Sequence, residues 1–90
     1  MLIALMTKDK EGALQTRLDN RDAHIAYLEE TGVVAMAGPF LNDDGDMCGS
    51  LIVLDVASME DAEAWAAKDP YNLAGLFSEV RLQEWKKVIG

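Results

Sequence analysis

The chain of 90 residues is long enough for one domain with one hydrophobic core, residues 1–90, and too short for two. Hydrophobic residues make up 50% of it and charged residues 27%, a composition that excludes intrinsic disorder. Sixteen acidic against eight basic side chains give a net charge of −8, which argues against nucleic acid and anionic membrane surfaces as partners.

The first part of the chain predicts a strand followed by a helix. Residues 2–7 form a short, continuously apolar run that ends in polar residues, which indicates a buried strand. After a loop at 8–16, apolar residues at helical spacing predict a helix that begins at Leu18 or Asn20 and ends at Glu30. The predicted core stripe of this helix consists of Leu18, Ile25 and Leu28.

The rest of the chain predicts three strands and a second helix. Gly38-Pro39 stops the second strand, and an Asp-Gly turn connects it to the third. Ser58 opens the second helix with a capping box, and Pro70 blocks its continuation. The predicted elements are strands at 33–38, at 49 or 50 to 56 and at 77–85, a helix from 58 to about 68, and a helical turn at 72–76.

The element order βαββαβ predicts an α+β, ferredoxin-like fold, with a four-stranded antiparallel sheet and two helices on one face. Two helices cover only one face of such a sheet. The segments 2–6 and 51–56 are nevertheless apolar on both sides, a pattern typical of strands that are buried on both faces. A second copy of the chain is the simplest cover, so we predict a homodimer that forms through the sheet.

The sequence also predicts a cytoplasmic protein. No apolar run approaches the length of a membrane span. The N-terminal run 1–6 lacks the basic region and the cleavage site of a signal peptide. Cys48 is the single cysteine, so the chain has no internal disulfide and nothing in it points to an oxidising compartment.

Two titratable residues occupy unusual positions in the predicted helices. His24, the single histidine, borders the apolar stripe of the first helix, and Asp69 extends the apolar stripe of the second. A carboxylate at the C-terminal end of a helix is opposed by the helix dipole. The structural alternative is a half-buried histidine bonded to a carbonyl and an aspartate that satisfies nearby amides. Together the two residues are a candidate acid–base pair.

Polar residues near this pair are candidates for substrate binding. Arg17 and Arg21 would hold a substrate carboxylate, with Arg17 included only if the helix begins early enough; the alternative is two solvated side chains. Ser50 lacks the surroundings of a nucleophile and is a substrate contact or a hydrogen-bond donor. Tyr71 is close enough to Asp69 in sequence to line a pocket.

The sequence contains no pattern for a metal or a cofactor. One histidine and one cysteine are too few for a transition-metal site. The acidic turn at 43–46 lacks the glycine offset and the closing glutamate of a calcium loop. Glycine-rich phosphate motifs are absent. We therefore expect no metal and no cofactor.

Several short motifs, in order along nearly the whole chain, resemble the YCII-related family. They are Asp9-Lys10-x-Gly12, Arg17 and Arg21, His24-x-x-Tyr27-Leu28, Gly38-Pro39, Gly49-Ser50-Leu51, Asp69-Pro70-Tyr71 and Trp85. The resemblance implies a ferredoxin-like fold that dimerises through its sheets, as in the dimeric α/β-barrel group. It also implies an active site around His24 and Asp69, with Ser50 lining it. One relative removes hydrogen chloride from a chlorinated aromatic intermediate, and muconolactone isomerases share the broader fold.

These observations lead to two functional hypotheses. The first is a cofactor-independent enzyme in which His24, oriented by Asp69, transfers a proton during elimination or isomerisation of a small organic acid or cyclic substrate. The second is a non-catalytic module that binds a small ligand, or that accompanies a larger enzyme as a dimer. Product formation with a pH dependence assignable to His24 distinguishes the first from the second.

Overall fold

The structure is a computed structural model that describes all residues from Met1 to Gly90. It contains four strands and three helices. They are β1 (Leu2–Asp9), α1 (Leu14–Thr31), β2 (Val34–Leu41), β3 (Met47–Asp55), α2 (Met59–Lys68), α3 (Pro70–Leu73) and β4 (Phe77–Trp85). No helix is both long enough and apolar enough to cross a membrane.

The four strands form one antiparallel sheet in the order β2-β3-β1-β4. With α1 and α2 as the main helices, this is the ferredoxin-like arrangement that the order of elements predicts. Gly49 allows β3 to pass close to β1, because a Cβ at this position would collide with the carbonyl oxygen of Thr7. The close approach lies near the beginning of β3, next to the polar residue Ser50.

The core lies between the sheet and the helices. Ile3 pairs with Leu54 and Leu5 pairs with Ile52 across β1 and β3, so these four side chains point to one face of the sheet. They pack in one buried cluster with Ala62 and Trp65 of α2. The cluster anchors α2 on the sheet and thereby places the residues that follow it.

The opposite face of the sheet carries apolar side chains that no helix covers. Register and strand alternation place Ala4, Leu51 and Val53 on this face, together with Met36 and Phe40 of β2. Met36 is 47% exposed and Phe40 is 42% exposed in the single chain. We call this surface, with Trp85 of β4, the open face.

The prediction for α1 is wrong at its N-terminal end. The helix begins at Leu14 rather than at Leu18 or Asn20, and Ala13 before it provides no side-chain cap that could mark this start. Leu18 is 47% exposed and does not belong to the core stripe. At about 100° per residue, Leu28 lies roughly 20° from the buried Arg17, whereas Leu18 lies about 100° away. The early start adds Arg17 to the inner face of the helix.

Ends of β1, β2 and β3 and the last helical turn also differ from the prediction; β3 begins at Met47 rather than at residue 49 or 50. β2 continues through Pro39 to Leu41. Proline has no backbone N–H to donate to a neighbouring strand, and it is tolerated here because β2 is an edge strand. β1 continues to Asp9, which pairs with Phe77 of β4. The turn predicted at 72–76 is instead α3, which begins with Pro70 in the position that proline favours.

Candidate active site

His24 and Asp69 are brought together from two separate elements. His24 lies on the inner face of α1, and Asp69 lies at the junction between α2 and α3. Their side chains meet with 2.7 Å between Nδ1 of His24 and Oδ1 of Asp69, and both are buried. Helix packing thus places the imidazole and the carboxylate in direct contact.

The local chain at Asp69 fixes the position of its carboxylate. Oδ1 also accepts a hydrogen bond of 3.0 Å from the backbone N–H of Tyr71. Oδ2 is buried and has no hydrogen-bond partner in the chain. Because an ionised carboxylate only accepts hydrogen bonds, the neutral imidazole of His24 carries its proton on Nδ1. Nε2 is then an acceptor, and no residue of the chain donates to it.

The Tyr71 ring lies between His24 and Arg17. It stacks on the imidazole with 3.8 Å between ring centroids and 13° between planes, and the Arg17 guanidinium carbon is 4.7 Å from its centroid. The two flanking residues are seven apart in α1, a rise of about 10.5 Å that leaves room for one ring. Burial raises the pKa of the Tyr71 phenol, and the nearby arginines only partly offset this effect. The phenol is therefore neutral at physiological pH. Because the Tyr71 ring stacks on the imidazole, it restricts the orientation of the imidazole plane.

Arg17 belongs to a buried ion pair with Asp9. Its Nε and Nη2 bind the two carboxylate oxygens at 2.7 and 2.9 Å, and Nη2 also donates to Ser50 Oγ at 3.0 Å. Burial lowers the pKa of Arg17, but the hydrogen bond and charge of Asp9, together with the neighbouring Tyr71, outweigh burial and raise it. Arg17 is neither a solvated side chain nor a guanidinium free to bind a carboxylate, the two roles that the sequence suggested.

Asp9 was missed from the sequence. The helix-facing residues of β1 are Ile3, Leu5 and Thr7, so strand alternation continues to Asp9 and places its side chain on the same face. That alternation was the available signal. A strand that is predicted to end at Thr7 does not include Asp9.

A cavity of about 170 Å³ lies beside the imidazole. Five of the six residues predicted for the site line it, whereas Asp69 lies behind His24 and does not. The five are Arg17, Arg21, His24, Ser50 and Tyr71. Apolar side chains such as Ile25, Leu28 and Ile52 complete the wall. A closed cavity of about 150 Å³ holds benzene, so the space suits one substituted six-membered ring.

Arg21 differs from Arg17 in its charge environment. It is exposed, it lines the cavity, and no carboxylate of the chain forms a salt bridge with it. It therefore brings an uncompensated positive charge to the cavity. No group of three or more His, Cys, Asp or Glu side chains is arranged to hold a metal ion.

The chain resembles known proteins over nearly its whole length. A family model described as the YCII-related domain matches residues 1–86. The protein YciI of Escherichia coli O6:H1 is 37% identical, with 98% of this chain and 99% of that protein covered.

Solved structures show the same relationship. The 5-chloro-2-hydroxyhydroquinone dehydrochlorinase TftG of Burkholderia phenoliruptrix, in complex with 2,5-dihydroxybenzoquinone, superposes with a TM-score of 0.87. It is 37% identical, and the match covers 96% of this chain and 94% of that one. An antibiotic biosynthesis monooxygenase shares only the fold, at 10% identity and a TM-score of 0.57 over 97% of this chain and 100% of its own. The family model and the two relatives at 37% identity establish that this chain belongs to the YCII-related family.

Proposed function

We propose that the protein is a cofactor-independent enzyme that eliminates a small leaving group from, or isomerises, a small organic acid or cyclic substrate by proton transfer. The observation that carries this proposal is the 2.7 Å contact between His24 and Asp69 beside a cavity of about 170 Å³. The contact leaves Nε2 of His24 as the basic atom, and His24 lines the cavity. A base with a fixed tautomer is the central requirement of such a reaction.

The residues have distinct roles in this mechanism. Nε2 of His24 accepts a proton from the substrate, and Asp69 stabilises the imidazolium that forms. Arg21, whose charge is uncompensated, attracts an anionic oxygen of the substrate. Tyr71 packs against the imidazole and keeps its plane fixed while the proton moves.

The relationship to TftG suggests a specific reaction to test. TftG is named as a dehydrochlorinase of 5-chloro-2-hydroxyhydroquinone and binds 2,5-dihydroxybenzoquinone. In such a ring, an O–H proton is taken up by Nε2 of His24 and returned to the carbon that bears chlorine. Loss of a second O–H proton forms a C=O bond and shifts an electron pair through the ring, so that the C–Cl bond breaks and chloride leaves. The products are a hydroxyquinone, chloride and one proton, and no oxidant is required.

Release of chloride from 5-chloro-2-hydroxyhydroquinone tests the proposal. We expect the protein to produce chloride and a hydroxyquinone chromophore in equal amounts and in proportion to its concentration. The reaction without protein is the baseline. Saturable binding of the substrate, measured by calorimetry, with no product above that baseline would contradict an enzyme of this specificity and favour a ligand-binding module.

We further propose that the protein is a homodimer that forms through the open face. The support is the apolar surface on β2 and β3 that no helix covers, which includes Met36 and Phe40 at 47% and 42% exposure. Burial of such apolar surface in an interface stabilises the dimer by about 25 cal/mol per Å² of surface removed from water. A second copy of the same sheet offers a surface of matching character.

Sedimentation with a charged substitution tests the dimer. We expect the wild-type protein to sediment at twice the chain mass at micromolar concentration. Met36→Asp should shift it to the monomer, because the carboxylate would be buried without a partner in the interface. Leu18→Asp is the matched control, since Leu18 is equally exposed but lies on α1, away from the open face. A wild-type protein of monomer mass, or two variants with equal masses, would contradict the proposed interface.

A further inference from the structure

We infer that Asp9 is a positioning residue of the site. It holds Arg17 against the Ser50 oxygen, so that the Ser50 hydroxyl proton remains available for a hydrogen bond to an oxygen of the bound ring. This inference rests on the proposed function, because it concerns the ligand in the cavity beside His24. It specifies the substrate class as a single ring with at least two oxygen substituents.

The first step is the fixed position of Arg17. Asp9 binds it with both carboxylate oxygens, and the two side chains are only 6% and 3% exposed, respectively. A bidentate pair of this kind restricts both the position and the plane of the guanidinium. The Tyr71 ring at 4.7 Å covers the guanidinium as well. Arg17 therefore has little freedom to turn towards a ligand.

The second step concerns the direction of the hydrogen bond to Ser50. Arginine has only donors, so the 3.0 Å contact between Nη2 and Ser50 Oγ uses a lone pair of the serine oxygen. The serine proton is thus left for another acceptor. Thr7 lies directly opposite Ser50 in β1, but its Oγ1 forms no hydrogen bond. Since Ser50 is buried and lines the cavity, a ligand in the cavity is the acceptor that remains.

The third step combines Ser50 with the imidazole. Nε2 of His24 accepts a proton and the Ser50 hydroxyl donates one, so the cavity wall requires both a donor and an acceptor from the ligand. A ring with two oxygen substituents meets them with one O–H group and a second oxygen with a free lone pair. Arg21 strengthens the preference for negative charge on that second oxygen. A ring with a single hydroxyl would have to donate to Nε2 and accept from Ser50 through the same oxygen, whereas two oxygens let each group bind its own.

Binding of simple phenols tests this inference without turnover. Phenol, catechol, resorcinol and hydroquinone would be titrated into the protein, with affinities measured by NMR. We expect at least one of the three dihydroxybenzenes to bind wild-type protein about tenfold more tightly than phenol, the effect of one good hydrogen bond. Ser50→Ala and Asp9→Asn should each reduce this preference to about one. Because the preference is a ratio, a general weakening of the site does not change it.

The double variant tests whether Asp9 acts through Ser50. Asp9→Asn combined with Ser50→Ala should lose no more of the preference than Ser50→Ala alone, because Asp9 acts only by positioning the hydroxyl that Ser50→Ala removes. Asp43→Asn, at the exposed hairpin tip, is the matched control and should keep the wild-type preference. If Asp9→Asn does not fold, Asp9→Leu with Arg17→Met replaces the ion pair by apolar side chains. This double variant removes the group that occupies the Ser50 lone pair, so the hydroxyl is no longer directed into the cavity and the preference should also be lost.

The results separate this inference from the proposed function. Wild-type protein without a preference for any dihydroxybenzene, or a preference that survives Ser50→Ala or the loss of Asp9, would overturn the role of Asp9. Chloride release with no such preference would leave the reaction intact. A clear preference without chloride release would instead support Ser50 as a hydrogen-bond donor to the ligand and contradict the proposed reaction.

Discussion

His24→Ala is expected to lower the kcat for chloride release from 5-chloro-2-hydroxyhydroquinone by about 10²–10⁴-fold, the range for loss of a positioned general base. Asp69→Asn should lower it comparably, because an amide can donate to Nδ1 and thereby favour the inactive tautomer. The KM should change little, since the cavity wall and Arg21 remain. Steady-state kinetics with chloride detection measure both parameters.

The controls for this prediction separate chemistry from folding. Asp22→Asn changes an exposed carboxylate of α1 two residues from His24 and should retain wild-type turnover. His24→Ala combined with Asp69→Asn should be no slower than His24→Ala alone, because the two residues act as one unit. Full turnover by His24→Ala would eliminate the mechanism.

Much of the fold could be predicted because its signals are local. The apolar run at the start of β1, the capping box at Ser58 and the glycine after α1 each determine an element from neighbouring residues. The errors occur where tertiary contacts decide. Ala13 gives no capping signal, so the early start of α1 depends on packing of that turn. Pro39 stays in β2 only because β2 lies at the sheet edge, a position that local sequence does not reveal.

The site could be predicted in part for the same reason. His24 and Asp69 each contradict the pattern of their own helix, and such contradictions are visible in the sequence. Their contact at 2.7 Å depends on how α1 and the α2–α3 junction pack. The partner of Arg17 was not predicted, because Asp9 lies beyond the predicted end of β1. The sequence thus predicts which polar residues lie on the inner faces of the helices. It does not predict that Arg17 is paired with Asp9, and this ion pair leaves Arg21 as the arginine available to a ligand.

Arg17→Ala should destabilise the protein far more than Arg21→Ala, although both residues are arginines of the same helix that line the same cavity. Removing Arg17 leaves the Asp9 carboxylate, which is 6% exposed, without its counterion. Loss of one partner of a buried ion pair lowers the free energy of unfolding by about 3–5 kcal/mol. Arg21 is exposed and forms no salt bridge, so its removal should change that free energy by no more than about 0.5 kcal/mol.

Urea denaturation at one fixed protein concentration measures this difference, since a dimer makes apparent stability depend on concentration. Asp9→Leu with Arg17→Met should recover most of the stability that Arg17→Ala loses, because apolar side chains of similar size can replace a buried pair. Equal stability of Arg17→Ala and Arg21→Ala would mean that Asp9 finds water or another donor, and that Arg17 is free to bind ligand.

For ligand affinity, measured on the folded proteins, we expect the opposite order of effects. Arg21→Ala should weaken the binding of an anionic ring more than Arg17→Ala does, because it removes the uncompensated charge.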